Sequence, residues 1–398
     1  MEPAKKILIC GAGIAGPACA WWLVRYGFSV VIVERASAFR DGGQNVDVKG
    51  AGQQVIKLMG LAEQIEARGT GECGQKWIDA AGKVVAEFPK EGFGSLTSDF
   101  EILRGDFARV LFEATRNSVE YRFGTSVSGI EEVEEGVRAT FDDGSSEVFE
   151  LVICADGLSS STRDLALARE TRMRYLGAYM AFFKIPRRAE DDLWAWSVNG
   201  IRGTMINLRP GGTTETTVLV TFSAREPDTQ RPATLSRKDM LRDALQGRGT
   251  VAERILAELD AVKDFYFGPM SQVQASTWSK GRLVLLGDAA HCPTPFTGKG
   301  TALALVGAYV LAGEIKKCST YADAFHAYES LLRPYAERAQ RELSPRLIRI
   351  MHVQTRYGIA VARMVQRFFG SAPVQALLKP SAASRSRKID EDFALPVY

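Results

Sequence analysis

Gly11-Ala12-Gly13-Ile14-Ala15-Gly16 is the stretch that leaves this chain the fewest folding options. An apolar run from Lys5 to Cys10 leads into it, and helix-forming residues follow as far as Arg25. Gly27 then opens a second apolar run, Ser29 to Val33, which ends at Glu34. A bare Gly-x-Gly-x-x-Gly is weak evidence. Set between a strand and a helix, with an acid closing the next strand, it specifies a βαβ nucleotide-binding unit. Gly11 allows the tight turn, Gly13 lets a pyrophosphate approach the backbone, and Gly16 lets helix pack on strand. Glu34 can accept hydrogen bonds from both ribose hydroxyls of an adenosine and would repel a 2′-phosphate. The residues alone point to FAD or NAD at this site and away from NADP.

Three further stretches read as parts of the same crevice. Leu283 to Leu286 has the length of one buried strand. It runs into Gly287-Asp288-Ala289-Ala290-His291, then through Pro295 to Gly298-Lys299-Gly300, and a helical segment follows from Thr301 to Ile315. A strand ending in Gly-Asp puts a carboxylate at the carboxyl edge of a sheet, and the next helix start aims free N–H groups at the same place. The carboxylate suits ribityl or ribose hydroxyls, and the amides suit an anionic or electron-rich ring edge. Leu151 to Ala155 is another strand, ending in an Asp156-Gly157-x-x-Ser160-x-x-Arg163 pattern. Alone this is a capped helix start; beside a first strand-to-helix turn it reads as a second face of the crevice. Glu101-Ile102-Leu103-Arg104 precedes a helix read over Phe107 to Arg116. Its arginine is suited to a carboxylate, a phosphate, a ring carbonyl or a surface salt bridge.

Charge and cysteine content exclude several classes of function. Fifty basic residues against 47 acidic ones give a net charge of +3, too even for a nucleic-acid-binding protein. The six cysteines are scattered with no Cys-x-x-Cys pair, which fits a reducing compartment and neither a disulfide framework nor a zinc site. Three histidines are too few and too spread for a metal cluster. No secretory signal is visible and no uncharged apolar run reaches about eighteen residues, so a cytoplasmic protein without a transmembrane segment is expected. Leu347 to Phe369 comes nearest, but Arg349, His352, Arg356, Arg363 and Arg367 exclude a span; a docked helix is the preferred reading, with an interfacial helix at a membrane surface as the alternative.

The expected architecture is α/β: a Rossmann-like domain with an inserted, mostly antiparallel substrate sheet and a long C-terminal helix. The first domain takes residues 1–74, 101–172 and 268–320. Residues 75–100 and 173–267 form the substrate sheet, and 321–398 supply bracing helices and a loose tail. Tyr175–Ile185, Leu193–Val198, Gly203–Leu208 and Thr216–Phe222 read as strands of that sheet. Tyr179, Phe183, Trp194, Trp196, Met205 and Phe222 are candidates to line its ligand face. No histidine or glutamine stands on these strands. Pro345 to Phe369 reads as one helix.

In this order and spacing, the Gly11, Asp156 and Gly287 motifs resemble those of the single-component FAD-dependent monooxygenases of the aromatic hydroxylase type. The resemblance spans essentially the whole chain. Gly42 to Gln53 and Glu101 to Arg104 look most like the branch that inactivates tetracyclines. The resemblance implies that Gly11, Gly13, Ala15, Gly16, Glu34 and Arg35 hold the ADP half of FAD. Arg104 contacts the flavin and ribityl side, Asp47 lies beside the ring, and Asp156 orients a loop shared by pyrophosphate and NADPH. Asp288 binds the ribityl hydroxyls, while Pro295, Gly298, Gly300 and Thr301 face the ring edge. Arg40 matches an arginine that contacts NADPH, although NADH stays open as the reductant. Pro295 and Phe296 join the substrate-lining set. The helix after the last motif usually carries an acid; Val306-Gly307-Ala308 stands there instead.

The implied activity is hydroxylation of an aromatic or polyketide-like molecule with NAD(P)H and O2, the oxygen passing through a flavin C4a-hydroperoxide. The implied state is a monomer or homodimer, with no metal. The alternatives are a flavin-dependent dehydrogenase or reductase on a similar substrate, a flavoprotein that no longer turns over, and a halogenase. Trp194-Ala195-Trp196 echoes the last of these, without the Ile-Pro that accompanies such a pair.

Overall fold

The computed structural model describes residues 5–39, 42–92, 97–98, 100–224, 236–378 and 393–398. Its first layer is a six-stranded sheet, ordered Ser279–Lys280, Leu283–Leu285, Leu151–Cys154, Lys6–Cys10, Ser29–Glu34, Glu120–Phe123. All neighbours are parallel except the short first pair. Parallel strands are covered on both faces, so they must be apolar throughout; Ile7, Leu8, Ile9, Val152, Ile153 and Val284 are all fully buried. Helices Ala15–Arg25 and Gly300–Lys317 supply part of that cover. Because Cys10, Val33, Cys154 and Leu285 stand in register across four parallel strands, the turns that follow them emerge along one edge. Residues far apart in the chain therefore meet at the carboxyl ends of the strands, where such sheets bind ligands.

The second layer is a seven-stranded sheet, ordered Phe265–Ala275, Thr171–Pro186, Glu215–Ser223, Thr204–Pro210, Ala195–Gly200, Gly74–Ile78, Val84–Pro89. It is antiparallel except where Ala195–Gly200 meets Gly74–Ile78. Side chains alternate between its faces. Tyr179, Phe183, Val198, Ile206, Leu208, Val218, Val220 and Phe222 form one core with Leu241, Leu245 and Ile255 of helices Arg237–Leu245 and Thr250–Glu258. Phe265–Ala275 is a single strand of this sheet and runs through the boundary expected at 267/268.

Two further expectations differ from the structure. The helix read from Pro345 to Phe369 is broken into Pro345–Met351 and Arg356–Gly370. The buried His352 places Nδ1 2.8 Å from the Ile348 carbonyl and Nε2 2.8 Å from Thr221 Oγ1. The amides of Arg202 and Gly203 then bond the carbonyls of Gln354 and Val353, which a continuous helix would need for itself. Thr355 caps the new helix by accepting from Gly358 N at 3.1 Å. In the tail, most of the stretch expected to be loose lies outside the described residues, but 393–398 are docked. Tyr398 Oη donates to Glu314 at 2.8 Å and Tyr309 Oη donates to the Pro396 carbonyl at 2.7 Å. Gly313 makes room: a Cβ there would lie 2.2 Å from the Tyr398 ring. Among the described residues no helix is long and apolar enough to cross a membrane, and no cluster could hold a metal ion.

Candidate functional site

A cavity of about 720 Å³ opens between the carboxyl edge of the parallel sheet and the face of the antiparallel sheet turned away from its helices. Gly11, Gly13, Ala15, Glu34, Arg35, Asp47, Arg104, Asp156, Asp288, Gly298, Gly300 and Thr301 all line it. Arg40 lies outside the described residues, and Pro295 opens the short helical turn Pro295–Thr297.

The first turn leaves no space for side chains. Gly11 has φ +111° and a Cβ on it would sit 2.5 Å from the Ala155 carbonyl oxygen; one on Gly16 would sit 2.1 Å from that of Gly11. Gly16 thus lies behind the cavity wall, locking helix to strand. Helix Ala15–Arg25 is capped by no side chain and has no acid in its first turn, so its leading amides are available to an anionic group. Glu34 accepts from Ala12 N and Ala36 N, both at 3.0 Å, one on each carboxylate oxygen. A carboxylate has about four acceptor sites, so capacity remains for a ribose.

The Asp156 turn is both a cap and a wall. Ser160 accepts from Arg163 N at 2.9 Å, while Asp156 accepts from the Ser160 hydroxyl and from Thr162 N. Asp156, Gly157, Ser159, Ser161 and Thr162 face the cavity. Arg163, almost fully buried, donates to the Leu158 and Ala289 carbonyls at 3.1 and 3.3 Å, tying this turn to the Gly287 turn. Gly287 (φ +64°) makes the corner that delivers Asp288. Desolvation raises the Asp288 pKa, and the nearby Arg104 guanidinium opposes the rise. Arg104 begins the helix Arg104–Thr115, three residues earlier than the sequence suggests, and among the described residues it forms no ion pair. Helix Gly300–Lys317 also begins without a side-chain cap or an acid, and Gly300, Thr301 and Ala302 line the cavity. Beside it Thr294 holds a strained φ of +79°, and its buried Oγ1 has no partner among the described residues.

The antiparallel sheet presents the other face of its alternation. Met180 and Phe182, then Met205, Asn207 and Arg209, then Thr217, Leu219 and Thr221 line the cavity, with Gln75 and Ser197 from the adjoining strands. Of the residues named from the sequence as substrate-lining, Met205 and Phe296 line the cavity. Tyr179, Phe183 and Phe222 do not: each is one residue out of phase and packs in the helix-covered core, Tyr179 stacked on Phe222 at 5.9 Å. Trp194 stacks under Lys76, and Trp196 bonds Asp192 at 2.8 Å; both lie away from the cavity. The face is polar as well as apolar: Ser197 Oγ accepts from Gln75 Nε2 at 2.7 Å and from Asn207 Nδ2 at 2.8 Å. The glutamine missing from the later strands comes from Gly74–Ile78. Period-two alternation was the signal available for these residues, since after Thr204 one phase of Thr204–Pro210 is apolar (Ile206, Leu208, Pro210) and the other is mixed (Met205, Asn207, Arg209).

Between the two halves lies an ionic junction. Arg209 donates to Glu72 from Nε at 2.7 Å and from Nη2 at 3.0 Å, reaches Asp47 at 3.0 Å, and stands 3.8 Å from Glu101. Asp47 also accepts from Ser98 N at 2.7 Å. Burial raises the Glu101 pKa, while Arg209 and hydrogen bonds from Asn45 and Thr70 act against the rise. Burial acts to lower the Arg209 pKa, but the three carboxylates raise it further. Arg209 thus faces three acids where the two sheets meet, and Lys49 lies close enough to feel Asp47, Glu72 and Arg209.

A family model described as an FAD binding domain matches residues 4–342. A flavin-dependent monooxygenase from an unknown prokaryotic organism is 37% identical over 341 residues, covering 84% of this chain and 87% of that one. The chain belongs to the FAD-dependent monooxygenases. Crystal structures of the tetracycline destructases Tet(51) and Tet(55) are similar over 100% of both chains, with TM-scores of 0.78 and 0.81 and identities of 32% and 30%. The cofactor of this monooxygenase is FAD, and the residues present suit it: side-chain-free glycine turns, two uncapped helix starts and the unpaired Thr294 hydroxyl share one cavity.

Proposed function

We propose that the protein hydroxylates a planar, polyoxygenated aromatic or polyketide-like molecule, of which tetracyclines are one example, using NADPH and O2. The observation that carries this reading is the continuity of the cavity, which reaches from the glycine turn to a mixed polar and apolar sheet face without a dividing wall. Such a face suits a flat ligand with oxygens along one edge: Gln75 and Arg209 can donate to them and Asn207 Oδ1 can accept from a hydroxyl, while Met180, Phe182, Met205 and Leu219 cover the ring plane.

In this reading Gly11, Gly13, Ala15 and the first amides of Ala15–Arg25 hold the pyrophosphate, and Glu34 holds the adenosine ribose. Asp288 accepts from ribityl hydroxyls. The amides opening Gly300–Lys317 stabilise negative charge at the ring edge. Arg104, already close to Asp288 and Gly13, balances charge along the same ligand. Bound FAD supplies hydride acceptance and the activation of oxygen for transfer to an electron-rich carbon. The protein positions the substrate against it and keeps water out with the apolar part of the sheet face. A single dinucleotide fingerprint supports transient surface docking of the nicotinamide cofactor rather than a second domain for it. The division into a nucleotide unit and a substrate sheet is part of the same proposal, with its later boundary moved past Ala275 to keep the strand Phe265–Ala275 whole.

The test mixes holoprotein, NADPH and 18O2 with tetracyclines and simpler polyphenols. The expected outcome is substrate-stimulated NADPH oxidation with one labelled oxygen in the product. A reduced or dehydrogenated product without label would overturn the proposal in favour of dehydrogenase chemistry.

A further inference from the structure

Helix Arg356–Gly370 is built inside out. It lies along Val84–Pro89, the edge strand of the seven-stranded sheet, so closely that a Cβ on Gly370 would stand 2.7 Å from Ala86 Cβ. The side turned to the protein is mostly small or polar, Gly358, Ala362, Gln366, Gly370 and the half-buried Arg363, with Phe369 partly exposed at its edge, and Ile359 is its one buried residue. The large apolar side chains are outside: Tyr357, Val361, Met364 and Phe368 are 88%, 56%, 65% and 60% exposed, and Val365 joins them. At 3.6 residues per turn these five fall within a stripe about 100° wide. Helices of globular proteins place such a stripe on the core. Arg356, Arg363 and Arg367 share one face and run along a single margin of the stripe.

Charge selects the occupant. From Leu343 to Leu378 the chain has five arginines, the three above with Arg346 and Arg349, and no acidic residue. None of the five forms an ion pair with another described residue. A second copy meeting this face would bring another acid-free, arginine-rich surface against it, whereas anionic headgroups complement it. An exposed apolar stripe flanked by arginines is the pattern of a helix lying in the headgroup layer of a bilayer.

We propose that helix Arg356–Gly370 docks on a membrane surface bearing anionic lipids, the apolar stripe entering the interface and the arginine row meeting phosphates. The helix is joined to the site, because Met351 lines the cavity and His352 bonds Thr221 in its wall. A docked enzyme would therefore meet those members of the planar class proposed above that partition into lipid.

The experiment floats the full-length holoprotein with vesicles of phosphatidylcholine, alone or containing phosphatidylglycerol. The expected result is co-flotation with the anionic vesicles only, weakened by salt. Each of Arg363→Gln and Arg367→Gln should lower partitioning about fivefold. Replacing Val361→Ser, Met364→Ser and Phe368→Ser together should abolish it, with FAD content and melting temperature unchanged because all three positions are on the surface. No flotation with anionic vesicles, or full flotation of the triple variant, overturns the proposal. So does a dimer in light scattering that the triple substitution dissolves, which would assign the stripe to a second copy.

Discussion

Replacing Arg209 by Met should be the most costly single change at the junction of the two sheets. The guanidinium holds Glu72 through two hydrogen bonds and Asp47 through a third, with Glu101 at 3.8 Å. The Glu72 and Glu101 side chains are only 2% and 3% exposed, so little water is available to replace the cation. Breaking a buried pair by removing one partner costs roughly 3–5 kcal/mol, because the remaining charges stay desolvated. Unfolding entropy of about 2.1 cal/mol/K per residue then converts this to a melting shift of about 4–6 °C for a chain of this length. Glu101 makes the shift depend on pH. Burial already raises its folded pKa above the ordinary 4.5, and loss of Arg209 raises it further. A carboxyl that binds its proton more tightly in the folded state gains relative stability as pH falls through the folded value. The deficit of Arg209→Met should accordingly be largest near pH 7–8 and shrink toward about pH 4.5. Differential scanning fluorimetry of wild type, Arg209→Met and Arg209→Met/Glu72→Gln across this range checks the reasoning. The double variant should recover about half the loss. A melting temperature within 1 °C of wild type at pH 7.5 would refute it.

Other consequences are as direct. Gly11→Ala and Gly16→Ala place a methyl 2.5 and 2.1 Å from backbone oxygens, so both proteins should purify without FAD or fail to fold; absorbance near 450 nm after gel filtration reads this out. Asn207→Ala should raise KM several-fold with the melting temperature unchanged. Its neighbour Leu208→Ala, one face over, should cost about 2–5 kcal/mol of stability by denaturant titration. Burial holds the His291 pKa down to about 3, from an ordinary 6.5, and lowers that of His352 as well. The unfolded chain therefore takes these protons first. Stability should be intact above about pH 6.5 and, through His291, fall by about 1.4 kcal/mol per pH unit below it, His352 adding to the fall. The slope of urea midpoints between pH 6.5 and 5 should be shallower in His291→Gln than in wild type.

The parallel sheet and its turns were legible because each carries a local signature: a buried apolar strand, then glycine or aspartate at a fixed offset. Thus Gly11, Asp156 and Asp288 could be placed on one edge from the sequence alone. The antiparallel face was harder to read. Bulky aromatics such as Tyr179 and Phe222 look like ligand contacts, yet burial under helices claims them, and the cavity is left with Asn207, Thr217 and Arg209. Nor could the break at His352 be seen, since Thr221, which it bonds, lies 131 residues away. Arg209 was missed for the same reason: its three acids come from separate strands and loops, and no spacing in the sequence joins them.

The two phases of the strands Thr171–Pro186, Thr204–Pro210 and Glu215–Ser223 give substrate choice and structural integrity separate addresses. A randomised library confined to Phe182, Met205, Asn207 and Leu219 would explore new substrates with most of its members still folded. The same diversity shifted by one residue would return mostly precipitate.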